Sequence, residues 1–117
     1  MTKKDYTASI TLNPFHYEVL VILAKNFNAT IAKLGLGRKF RDKSGLSVGY
    51  GDHHVLVFDT NVLDHGIIAH ESAHCTFDAL AFAGQDPVSG EETFAYMLQY
   101  LVETIHEICK EQKIKID

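Results

Sequence analysis

The sequence predicts an α+β domain, a small and mostly antiparallel sheet packed on three helices. Three observations carry that expectation. Two short runs, 46–50 (LSVGY) and 55–59 (VLVFD), flank Gly51-Asp52 and read as a β-hairpin. Long stretches on either side space their apolar residues as helices do. Glycine or proline punctuates the junctions. With 117 residues the chain suits one domain, 1–117, large enough to bury a core without staples.

In chain order, residues 6–12 (YTASITL) have strand character. Asn13-Pro14 is a helix-start signal, a capping side chain followed by a residue that needs no N–H. The helix is expected to run to about Leu34, with Phe15, Val19, Ile22, Leu23, Phe27 and Ile31 on one face, before Gly35 and Gly37 end it. Residues 35–45 form a polar loop leading to the hairpin. Thr60, Asn61 or Asp64 then caps a helix reaching about Ala83, with Gly84 as its stop. Residues 85–90 read as a loop. Ser89 or Gly90 introduces Glu91-Glu92, acidic residues suited to a helix first turn. That last helix extends to about Lys110, and the polar tail beyond it is expected to fray.

Composition narrows the function. The apolar share of 46% and charged share of 22% fit a soluble globular protein. A net charge of -4 offers no reason to expect nucleic acid as a partner. No stretch approaches the roughly 18 apolar residues of a membrane span, and MTKKDYTASITL lacks a signal-peptide core. Cys75 and Cys109 make no disulfide framework and fit a reducing compartment. A cytoplasmic protein without membrane partners is the expectation.

The chemistry concentrates in residues 65–78, HGIIAHESAHCTFD, where His70-Glu71-Ser72-Ala73-His74 matches H-E-x-x-H. On a helix, residues four apart share a face, so His70 and His74 can point at one metal ion. Glu71, turned about 100° from His70, can reach a water on that metal. Two ligands and a general base thus sit on one rigid element. A chance match is the competing reading, since the chain holds seven histidines. The helical context argues against chance, and so does the hairpin just before it, since an edge strand beside such a helix can hold an extended peptide.

A catalytic zinc takes three protein ligands. Asp78 continues the row, but positions i, i+4 and i+8 span about 12 Å, too long for one ion. Asp78 reads instead as a partner to a ligand or as a solvent-facing carboxylate. Glu91 and Glu92 open the next helix, which a hairpin can return to the first. Glu92 is preferred because it shares a polar stripe with Tyr96, Gln99, Tyr100 and Glu103. Tyr96 or Tyr100 is a candidate oxyanion donor, and a core tyrosine is the plainer role.

VLVFDTNVLDHGIIAHESAH followed by GEETFAYMLQYL resembles the small zincin-like metallopeptidases of phages and prophages. The resemblance covers about residues 46–102. It implies a minimal gluzincin-type site, with His70, His74 and Glu92 on Zn²⁺, Glu71 as base, and a peptide or protein substrate in the host cytoplasm. A rival expectation keeps the zinc and drops the catalysis: a phage factor that engages a host protein. Peptide deformylases share H-E-x-x-H but need an upstream cysteine ligand, and no cysteine precedes Cys75.

Other features read more plainly. RKFRDK at 38–43 is a solvated basic loop. Gly35-Leu36-Gly37 lacks the surroundings of a phosphate loop. His53 and His54 are expected to be exposed turn residues. Glu103-x-x-His106, beside Glu107, has di-iron spacing but too few helices around it, and reads as a solvated face. Cys75 is rotated away from His74 and is not expected to ligate.

Overall fold

The computed structural model describes residues 5–86 and 89–117. Residues 87 and 88, inside the expected 85–90 loop, and residues 1–4 of the N-terminal segment lie outside the described residues. The elements run β1 (Tyr6–Leu12), β2 (Tyr17–Ala24), α1 (Phe27–Lys33), a short 3₁₀ turn (Arg38–Phe40), β3 (Gly45–Gly49), β4 (His53–Asp59), α2 (His65–Phe82) and α3 (Glu91–Glu111). The α+β class and three α-helices match the expectation. The sheet is four-stranded in the order β1-β2-β4-β3, with β1–β2 and β3–β4 antiparallel and β2–β4 parallel.

The long first helix expected over residues 13–34 is not formed. Residues 13–16 are a turn with a cis Asn13–Pro14 bond, and β2 follows as a central strand. Only 27–33 is helical, capped by Asn26, whose Oδ1 accepts from the Ala29 N–H at 3.1 Å. Tyr17, Val19, Val21 and Leu23 face α2 and α3, while Ile22 and Ala24 face Phe27 and Ile31 of α1. A strand covered on both faces reads as a nearly continuous apolar run, which satisfies the helical period as well. Burial on both faces of the sheet decides in favour of the strand.

The core therefore has two layers. One, between the sheet and α1, holds Ile22, Phe27, Ile31, Leu46, Val55 and Val57. The larger one, under α2 and α3, includes Leu56, Phe58, Ile68, Leu80, Leu101 and Ile105. α2 packs tightly across β3. A methyl at Gly45 would stand 2.9 Å from Ile67 Cγ2 and 3.1 Å from Glu71 Cγ, so only glycine allows this approach.

All three helices end in the same way, with a left-handed residue and paired backbone bonds that satisfy the last carbonyls. Gly35 and Gly84 serve α1 and α2. Lys113 serves α3, with the Ile114 N–H donating to the Cys109 carbonyl at 2.8 Å. The tail does not fray. Ile114 and Ile116 pack on the main core, and the Asp117 N–H donates to the Leu63 carbonyl at 2.9 Å. The alternating isoleucines give this polar segment one apolar side. Among the described residues no helix is long and apolar enough to cross a membrane.

Candidate metal centre

Asp64 caps α2, its Oδ1 accepting from the Ile67 N–H at 2.7 Å. The helix buries Ile68, Ser72, Cys75, Thr76, Ala79 and Leu80, which leaves His70 and His74 on the exposed face. Their Nε2 atoms converge to 3.3 Å, with the rings nearly perpendicular. His70, Glu71 and His74 each offer a ligand atom, all within 4.8 Å of one another. Glu71 is half-buried against Gly45. With His70 it lines a groove of about 560 Å³ between the start of β3 and the first half of α2, also bounded by Lys43, Ser44 and Ile67.

The histidine pair of this group fits two of the ligands of a metal ion. Two imidazole nitrogens bound to zinc at 2.0–2.1 Å and at the tetrahedral angle stand about 3.3 Å apart. The two exposed rings already have that separation, with the Glu71 carboxylate beside them.

Glu92 is not brought into this group. Phe77 meets Phe94 and His65 meets His106, so α2 and α3 run antiparallel and Glu92 lies level with Ala79. At 1.5 Å per residue that is about 7.5 Å along the axis from His74. Glu91 and Glu92 are both exposed in the first turn of α3. Tyr96 also stands elsewhere. With Tyr100 it borders a cleft formed with Thr11, Leu12 and Asn13, beside β1 at the opposite edge of the sheet from β3. Both tyrosines are exposed, so neither takes the core role.

Asp78 falls outside the group, as the helix geometry requires, and its Oδ2 lies 3.5 Å from His54 Nδ1. His54 is the residue that reading the chain missed. It is buried at 1% exposure, not in an exposed turn, because it is the inward-facing position of β4 under α2. Its neighbour His53 is exposed as expected. Ser47 Oγ contacts His54 Nε2, and the Tyr17 hydroxyl lies 3.1 Å from Nδ1 and 3.3 Å from the His53 carbonyl. One proton arrangement satisfies every partner: Ser47 donates to Nε2, Nδ1–H faces Asp78 and the Tyr17 oxygen, and Tyr17 donates to the His53 carbonyl. Burial holds the His54 pKa down to about 4, against a smaller opposing pull from Asp78. Burial likewise pushes the Cys75 thiol up to about 12, which agrees with a core cysteine rather than a ligand.

Glu103 accepts from Gln99 Nε2 at 2.9 Å on the exposed face of α3, and His106 meets His65 edge to edge instead of pairing with Glu103. No family model, curated protein or solved structure matches this chain.

Proposed function

We propose that this chain is a zinc-dependent peptide-bond hydrolase of minimal zincin-like type, acting in a reducing, cytoplasmic setting. The observation that carries the reading is the 3.3 Å convergence of His70 and His74 Nε2, with Glu71 in the same group. A bound zinc ion would supply Lewis acidity, lowering the pKa of water toward about 7 and polarising a carbonyl. Glu71 accepts a proton from water and returns it to the departing amine. Glu71 stands half-buried beside the groove, where α2 passes close over Gly45 of β3. Among the described residues β3 pairs on one side only, with β4, and its other edge suits an extended peptide running past the groove. Both cysteines are free and buried, in keeping with a reducing compartment.

A second reading keeps the metal without the reaction, as a zinc-holding protein that engages a host protein. The positions of Glu92 and Tyr96, away from the histidine pair, favour it. One experiment separates the two. Wild type, Glu71→Gln, His70→Ala and Glu92→Ala are compared for zinc content and for cleavage of a peptide library. The hydrolase reading expects zinc and cleavage in wild type, and zinc without cleavage in Glu71→Gln, a loss of at least about 100-fold for a general base. It expects loss of zinc in His70→Ala, with zinc retained in Glu92→Ala. Zinc binding with no cleavage by any form would establish the second reading.

A further inference from the structure

A second histidine pair joins α2 to α3. His65 opens α2, and its Nδ1 lies 2.8 Å from Nε2 of His106, the rings edge to edge with planes 9° from parallel and centroids 5.0 Å apart. Both ring nitrogens of His106 are accounted for. Nδ1 is 2.8 Å from the Val102 carbonyl, which can only accept, so Nδ1 carries the proton. In the neutral ring, Nε2 therefore presents its lone pair toward His65. Histidines that ligate metals show this arrangement, one nitrogen donating to a backbone carbonyl and the other aimed at the ion.

We infer that His65 Nδ1 and His106 Nε2 form a second cation site, separate from His70 and His74, for a borderline transition-metal ion such as Zn²⁺, Ni²⁺ or Cu²⁺. Imidazole donors favour this class over Mg²⁺ or Ca²⁺. The cation takes the place of the proton shared between the two rings, and His65 carries its proton on Nε2 instead. The nitrogens must part from 2.8 Å to about 3.3 Å, the tetrahedral spacing. His65 is exposed in the first turn of its helix, so a turn of its side chain toward solvent supplies that movement. Solvent completes the coordination. The ion clips the start of α2 to α3 and so ties together the hairpin on which the first site stands. Because it binds only the folded arrangement, it raises thermal stability.

The test uses the full chain with His70→Ala and His74→Ala, which removes the first site at two exposed positions. Zn²⁺ and Ni²⁺ are titrated into it by calorimetry. One equivalent is expected to bind, with a metal-dependent rise in Tm. Adding His65→Ala or His106→Gln abolishes both, while adding His53→Ala, at an exposed histidine, changes neither. Ring ¹⁵N shifts should assign the metal to His65 Nδ1 and His106 Nε2. Absence of binding in the His70→Ala/His74→Ala chain overturns the inference. So does binding that survives His65→Ala, which alters only an exposed side chain.

Discussion

His54 shows how one side chain can set a pH dependence. Folding holds its pKa at about 4, below the ordinary 6.5 of the unfolded chain. Between those values the unfolded state binds more protons, so stability rises with pH across this window. The contribution is complete above about pH 6.5 and is lost as pH falls toward 4. At about 1.4 kcal/mol for each tenfold change in proton affinity, it amounts to about 3 kcal/mol at most. His54→Gln keeps a hydrogen-bonding side chain but cannot titrate. Its urea-unfolding free energy should lose much of the wild-type slope between pH 4.5 and 6.5. An unchanged slope would show that other groups govern the acid response. Nothing in the dipeptide His53-His54 separates the two rings. Only the pairing of β4 with β2 and β3, and the helix above it, turns one outward and buries the other.

At the scale of elements, the contact between α2 and β3 positions Glu71. Gly45→Ala would press a methyl against Ile67 and Glu71, an overpacking that costs about 1–3 kcal/mol. The variant should melt earlier and, if zinc is retained, cleave more slowly than wild type, because Glu71 is displaced together with Ile67. Equal Tm and equal rate would mean that the contact constrains nothing. The motif helix was legible: Gly84 ends it, Asp64 is one of the three residues expected to cap it, and His70 and His74 share a face as their spacing requires. β2 was not, because a run buried on both faces has no period of its own. The positions of the partner residues expected from α3 were not legible, for a similar reason. The shared face of Glu92 and Tyr96 was readable, but the register of α3 against α2, seen where Phe77 meets Phe94 and His65 meets His106, comes from the packing of both helices in one core. A polar stripe carries no signal for that register.

At the scale of the whole molecule, the tail closes the larger core. Ile114 and Ile116 pack beneath a left-handed Lys113, and the Asp117 backbone bonds to Leu63, just before α2 begins. Ile114→Ala removes part-buried apolar surface and should cost about 1–2 kcal/mol, less than a fully buried isoleucine. Urea denaturation measures it, and a change below about 0.5 kcal/mol would show that the tail only rests on the surface.

The sequence by itself determined the α+β class, the hairpin, the glycine stop of α2 and the shared face of His70 and His74 beside Glu71, and it left the N-cap of α2 open among Thr60, Asn61 and Asp64. These depend on neighbours within a turn of helix or a tight loop, whose geometry the chain fixes locally. The tertiary structure alone decided that 17–24 is a central strand, that His54 is buried, that Glu92 and Tyr96 stand away from the pair, and that the tail is docked. Each of these depends on which surface covers which, and that is settled by burial between residues far apart in the chain.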